Sequence, residues 1–282
     1  MKTYLVPVDF SEAAFNAADF AARLSHQTNV ERIILLNAYY ISPYEELLPN
    51  PDMFMLREQE VQESVNERTA GLEQLKNKLA EIVRPGVKID TWLNRSHLVR
   101  AIVDRVGAED ADLVILGSIG NSSNQGEGLG SHVIAISKAS PVPVIVVPPA
   151  FKYSAVERAV IACDFKNVKE SIPVEVLHKL LGSQNLKLLI VNVDLEHKYI
   201  QQNAELLAEE TVLKDMLGVY NPTYHYVNND NILTGILEFA RENRAEMVIA
   251  LPHKYSFFKS LIHSSISRQL ASSSPVPVLL LK

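Results

Sequence analysis

Apolar and polar positions in this chain follow two rhythms. Short, nearly continuous apolar runs occur at Tyr4–Val8, Ile33–Tyr39, Asp112–Gly117 and Val142–Val147. Between them lie longer stretches in which apolar residues recur at three- and four-residue steps. Continuous runs suit parallel strands covered on both faces, and the spaced stretches suit helices. The pattern predicts helices over about 12–26, Met55–Val83, about 97–109 and about 131–139, with Ser11 as the N-cap of the first. The strand Lys88–Leu93 falls between the second helix and the third.

The same outline then repeats. Tyr4–Glu12, YLVPVDFSE, parallels Ala159–Asn167, AVIACDFKN, each an apolar run ending in Asp-Phe. Asp112–Gly117, DLVILG, parallels Glu246–Leu251, EMVIAL, and Ser140–Pro148, SPVPVIVVP, parallels Ser274–Lys282, SPVPVLLLK. The last two pairs share one offset, 134 residues, whereas the Asp-Phe pair is offset by 155, so the first half carries about 21 extra residues in its middle. The strands Arg158–Cys163, Leu186–Val193, Pro222–Val227 and Val276–Leu281 and a helix over about 232–243 complete the second copy. The chain therefore divides into domains at 1–150 and 151–282, with the boundary near Pro149–Tyr153.

Strand–helix alternation implies right-handed crossovers and a doubly wound sheet in each half. In such a sheet a ligand binds beyond the carboxyl ends of the strands, where the strand order reverses. The residues to watch are Asp9, the segment after Leu36 and the loop after Leu116.

Composition narrows the classes. A length of 282 residues suits two domains, and 47% hydrophobic with 21% charged residues is ordinary for a globular chain. The single cysteine, Cys163, excludes an internal disulfide and any cysteine-cluster metal site. The net charge of −6 sits in residues 1–150, which hold 13 Lys+Arg against 19 Asp+Glu, while residues 151–282 hold 14 of each. That balance argues against DNA or RNA as partner, because nucleic-acid affinity draws on a basic surplus. The opening MKTYLVPVDFSE reads as a strand rather than a signal peptide, and no run of 18 apolar residues offers a membrane span. The expected location is cytoplasmic.

The loop between Leu116 and the fourth helix carries the candidate chemistry. Five of the 11 glycines fall within the 14 residues Gly117–Gly130. Glycines permit close backbone approach to a ligand, and the helix that follows presents free N–H groups at Ser131–Val133. Together these suit an anion, most naturally a phosphate. The plainer reading is a flexible connection that binds nothing. No Gly-Lys-Ser/Thr is present, so this is not a Walker loop, and the first turn, PVDFSE, lacks the glycines of a Rossmann fingerprint.

Gly117-x2-Gly120-x9-Gly130-Ser131, with the opening VPVDFSE, resembles the nucleotide-binding signature of the universal stress protein family. The resemblance covers the whole chain as two tandem domains. It implies two flavodoxin-like α/β domains, each a five-stranded parallel sheet with helices on both faces, paired through their last strands as an intramolecular pseudo-dimer. It implies ATP, or AMP or ADP, as ligand, with or without Mg2+. By this resemblance Asp9 accepts from the ribose, and Pro7, Val8 and Ala38 line the adenine slot. Gly117 and Gly120 let the chain wrap the ribose and α-phosphate. Gly130, Ser131 and the N–H groups of His132 and Val133 hold the distal phosphates.

Two departures qualify the match. Ser118, Ile119 and Asn121 stand where the family often has a basic residue, and Glu127 adds a negative charge. Phosphate charge then falls to backbone amides or to Mg2+. In the second half Gly117 becomes Leu251, Gly120 becomes Lys254, Gly130 becomes Ser264 and Ser131 becomes Ser265. Leu251, Lys254, Phe257, Phe258 and Lys259 are expected to fill the second strand-end cavity, with Leu251 nearest Asp164, leaving one nucleotide site per chain.

No catalytic residue and no metal site stand out. His253 and His263 lie ten apart in one loop but lack further ligands for zinc. Cys163 reads as a packed apolar residue, and Met53–Val83 as an amphipathic crossover helix. Three functional readings follow: a nucleotide-binding regulator of the stress response, with an unknown protein partner; a slow ATPase on the same site; and an interaction scaffold whose glycine loop binds nothing.

Overall fold

The computed structural model describes residues 2–40, 51–118, 131–163, 165, 168–181, 186–194, 204–250 and 274–281. The first half contains β1 (Thr3–Pro7), α1 (Glu12–Leu24), β2 (Arg32–Ala38), α2 (Pro51–Ala80), β3 (Lys88–Asn94), α3 (Leu98–Ala108), β4 (Leu113–Gly117), α4 (Ser131–Ala139) and β5 (Val144–Val147). The second contains β6 (Arg158–Ala162), α5 (Val168–Ser171), α6 (Val174–Leu181), β7 (Lys187–Asp194), α7 (Ala204–Met216), β8 (Thr223–Asn228), α8 (Ile232–Glu242), β9 (Met247–Ala250) and β10 (Val278–Leu280).

The continuous apolar runs became the central strands. β1, β5 and β9 are buried at every position, as strands sandwiched between two helical layers must be. The mixed sequences KIDTWLN and TYHYVN became β3 and β8, the partly exposed edges. The strands follow the order β3-β2-β1-β4-β5-β10-β9-β6-β7-β8. Each half is thus wound 3-2-1-4-5, which differs within the doubly wound class from the 2-1-3-4-5 of flavodoxin itself. The order reverses between β1 and β4, and that is where the crevice opens.

The five-stranded sheets are not separate. β5 and β10 pair antiparallel, with Val278 opposite Val146, Leu279 opposite Ile145 and Leu280 opposite Val144. Two apolar edges that would otherwise stand open to solvent are closed against each other. One core cluster runs across both halves on the α1 and α6 face of this ten-stranded sheet, whereas the opposite face carries a separate cluster in each half.

The linker is fixed to α1. Asn16 Nδ2 donates to the carbonyls of Pro148 at 2.9 Å and Phe151 at 3.0 Å. Gln27 Oε1 accepts from Tyr153 Oη and from Val156 N, both at 2.8 Å. Phe20 meets Phe151 and Tyr153 edge-on, with ring centroids 6.0 and 5.7 Å apart.

Local signals behaved unevenly. Ser11 caps α1 as its sequence predicts, accepting from Ala14 N at 3.2 Å. The helix ends at Leu24, two residues earlier than expected, where buried Ser25 bonds Ala22 O and receives Arg84 N. Part of the first half's extra length lies in α2, which has 30 residues against 13 in α7. Helices α5, α6 and α7 were not singled out by spacing; α6 has only 8 residues, too few for its period to stand out. No helix among the described residues is long and apolar enough to cross a membrane.

Candidate functional site

β1 delivers its chain end into a fixed turn. Asp9 Oδ1 accepts from Ser11 N at 3.0 Å and from Ser11 Oγ at 2.5 Å, and Phe10 between them takes a left-handed φ of 62°. The same left-handed conformation recurs at Phe165, the matching position of the second half, with φ 52°. This turn starts α1 and holds Asp9 at the carboxyl end of β1, beside the reversal point.

Asn37 ties the neighbouring strand into the same place. It is a polar residue in the apolar run of β2 and is buried. Its Nδ2 donates to Val8 O at 2.6 Å, while Val8 N donates to Leu36 O at 2.8 Å. Its Oδ1 accepts from Arg68 Nη1, 3.2 Å away on α2. Arg68 is steadied by Ser64 Oγ at 3.2 Å, and its guanidinium carbon lies 5.5 Å from the centre of the Tyr39 ring. The extra-long helix of the first half therefore brings a permanent positive charge to the strand ends.

A cavity of about 430 Å³ opens here. Among the expected residues, Pro7, Val8, Asp9, Ala38, Gly117, His132 and Val133 all line it. Ser131 begins α4, so the amino end of that helix stands at the cavity as anticipated. Gly120 and Gly130 lie outside the described residues. Asn37, Tyr40, Arg68 and His97 also line the cavity, and sequence reasoning did not pick them. Asn37 left a trace, being polar in an apolar strand and matched by Asn192 at the same offset of 155 as the Asp-Phe pair. Arg68 left none, since it is one charged residue on a polar helix. Tyr40 and His97 stack at 3.7 Å between centroids, with 21° between their planes.

Gly117 lines the cavity, but the contact that demands glycine is elsewhere. A Cβ there would lie 2.6 Å from Ala13 O. α1 crosses the end of β4 so closely that no side chain fits, and this crossing carries Ala14 to the cavity wall.

The described part of the second half preserves the frame without the charge. Asn192 Nδ2 donates to Cys163 O at 2.9 Å, and Cys163 N donates to Val191 O at 3.0 Å, as at Asn37 and Val8. Asn192 Oδ1, however, is buried with no partner among the described residues. Cys163 is buried, in keeping with a packed residue. Asp164, the histidines His253 and His263, and the loop holding Leu251, Lys254, Phe257, Phe258, Lys259, Ser264 and Ser265 lie outside the described residues. Among the described residues no group of three or more His, Cys, Asp or Glu is placed to hold a metal ion.

The Universal stress protein family matches the chain twice, over residues 1–148 and 155–282. The fold is similar to that of a universal stress protein from Archaeoglobus fulgidus DSM 4304, with a TM-score of 0.65 and 21% identity over 99% of this chain and 96% of that one. It is also similar to a functionally unknown protein from Pseudomonas aeruginosa PAO1, with a TM-score of 0.62 and 13% identity over 100% of this chain and 92% of that one. At these identities the likeness is one of fold. No curated protein matches the chain.

Proposed function

Because this chain belongs to the universal stress protein family, as a tandem member with two such domains, we propose that it is an adenine-nucleotide-binding regulatory protein of the stress response. In this reading residues 1–150 hold the nucleotide, and residues 151–282 complete an intramolecular pseudo-dimer through the β5–β10 pair.

One observation carries the reading: Asp9, Ala38, Arg68 and the start of α4 converge on a single cavity at the point where the strand order reverses. Its volume of about 430 Å³ falls within the range of small-molecule sites, roughly 300–1,000 Å³. The chemistry is graded in the way a nucleotide requires. Pro7, Val8, Ala38 and Val133 supply apolar wall for a base. Asp9 supplies an acceptor for ribose hydroxyls. The amino end of α4 and the Arg68 guanidinium supply the positive field that phosphates need. Arg68 takes the part of the basic residue that the glycine loop lacks.

ATP, with AMP and ADP as shorter alternatives, is the expected ligand. Mg2+, if it accompanies ATP, would supply charge neutralisation at the phosphates. The reading is one of binding and signalling rather than fast turnover. Mass spectrometry of small molecules released on denaturation tests it. An adenine nucleotide at up to one per chain is expected; a protein that carries none and also fails to bind added ATP, ADP or AMP contradicts the reading.

A further inference from the structure

The two halves differ at the residue that precedes a matching helix. Asn231 caps α8, its side-chain oxygen accepting from Thr234 N at 3.1 Å. His97 holds the same place before α3, at the 134-residue offset of the repeat, and makes no side-chain cap bond. Asparagine is among the best residues here, because its short oxygen reaches a helical N–H that has no partner within the helix. The first half therefore forgoes a helix cap that the second keeps, and spends the position on an imidazole ring.

That ring lies on Tyr40, with 3.7 Å between centroids and 21° between planes. Tyr40 stands two residues past Ala38, and the 155-residue offset that matches Asn37 to Asn192 puts Leu195 in its place. Leu195 and Asn231 cannot make such a stack, so the aromatic pair belongs to the half that also carries the glycine loop. Both rings line the strand-end cavity, and both are exposed, Tyr40 by 51% even with His97 against it. A stack left this open removes little apolar surface from water and adds little to the fold. What it does is hold an accessible phenol ring in one orientation at the cavity wall. Ala38 and Leu98, the apolar residues beside the pair in that wall, are likewise only partly buried. A fixed, open aromatic ring with apolar flanks suits a planar aromatic group.

We propose that Tyr40 is the stacking platform for the base of the ligand, with His97 as the residue that positions it, and that this pair makes the site select a nucleoside over a bare phosphate compound. The inference rests on the reading of the cavity as a nucleotide site. The base lies on the Tyr40 ring beside Ala38 and Leu98, and the ribose turns toward Asp9. Stacking reads the plane of a base and not its hydrogen-bonding edge, so the pair favours the presence of a base rather than adenine over guanine.

Titration calorimetry of the full chain with ATP, adenosine and inorganic tripolyphosphate, joined to thermal unfolding without ligand, tests the proposal. Tyr40→Ala is expected to weaken ATP and adenosine by about tenfold and to leave tripolyphosphate unchanged. Tyr40→Phe restores the aromatic plane and is expected to recover the lost affinity. His97→Asn copies the second half: it is expected to raise the unliganded Tm by supplying the cap, yet to weaken ATP and adenosine. A merely structural role for His97 would move stability and affinity together. Wild-type protein that binds ATP, with Tyr40→Ala and His97→Asn binding it equally well, overturns the platform and leaves the nucleotide reading in place. So does a loss in Tyr40→Ala that tripolyphosphate shares. Wild-type protein that binds neither ATP nor adenosine overturns both.

Discussion

Arg68 donates to the side-chain oxygen of Asn37 at 3.2 Å, whereas the same oxygen of Asn192, its counterpart in the second half, is buried with no partner among the described residues. Among the described residues the two copies of this frame thus differ in a charged contact, and Arg68 and Asn37 both line the strand-end cavity of the first half. Removing Arg68 should act on ligand charge more than on the fold. Arg68→Ala is expected to weaken ATP by about tenfold, or about 1.4 kcal/mol, with a smaller effect on adenosine. Arg68→Lys should restore only part, because a lysine cannot hold Asn37 and a phosphate with one planar fork. Calorimetric Kd values for ATP and adenosine check this; equal losses for the two ligands would place Arg68 away from the phosphates.

The same asymmetry predicts a difference in stability. Asn37→Ala removes the bonds to Val8 O and to Arg68, while Asn192→Ala removes, among the described residues, the bond to Cys163 O alone. A hydrogen bond of this kind contributes about 1 kcal/mol, so the first variant should lose about that much more than the second. Urea unfolding of the two full-length variants measures it.

Gly117→Ala should destabilise the protein even without ligand. The added Cβ meets Ala13 O at 2.6 Å, so α1 must shift off the end of β4. Overpacking of this kind costs about 1–3 kcal/mol. A lower urea midpoint in nucleotide-free protein is expected; an unchanged midpoint would mean that α1 moves freely over the strand.

Acid should expose a network at the other end of the first sheet. Glu109 accepts from Arg32 Nη1 at 2.6 Å and from Arg105 Nη1 at 2.7 Å, and those bonds hold its carboxyl below the usual carboxylate range. Arg32 also pairs with Asp90 on β3. The folded state binds the Glu109 proton more weakly than the unfolded chain does. Its stabilisation is therefore complete above the unfolded pKa, about 4.3, and is lost as pH falls through the lower folded value. Glu109→Gln should have a lower Tm than wild type at neutral pH, and the gap should close as pH falls to about 3. A gap that is constant with pH would assign the effect to packing.

Much of this architecture was legible in the residues. The strands could be read because a parallel sheet covered on both faces demands unbroken apolar runs, and the repeat could be read because SPVPV and the Asp-Phe pair recur at fixed offsets. Topology pointed to Asp9, the segment after Leu36 and the loop after Leu116, since the carboxyl ends of strands meet where the order reverses, and the resemblance to universal stress proteins named Ala38, His132 and Val133; all four residues line one cavity. Gly117 was read for its ligand, but a glycine reports only that something comes close, and here the neighbour is the α1 backbone. Arg68 could not be found, because its meaning depends on how α2 lies across β2, which no local pattern encodes. Tyr40 and His97 escaped for the same reason: residues 57 apart in the chain become a stacked pair only in the fold.

The central claim is that one adenine nucleotide binds per chain, in the crevice of the first half. Titration calorimetry of the full-length protein with ATP, wild type against Asp9→Asn, tests it most directly. Asparagine keeps an oxygen for the Ser11 turn but replaces the other with an amide that cannot accept from a ribose hydroxyl. The account predicts a stoichiometry of one, with affinity reduced by about tenfold or more in the variant. Two nucleotides per chain, or wild-type affinity in Asp9→Asn, would contradict it.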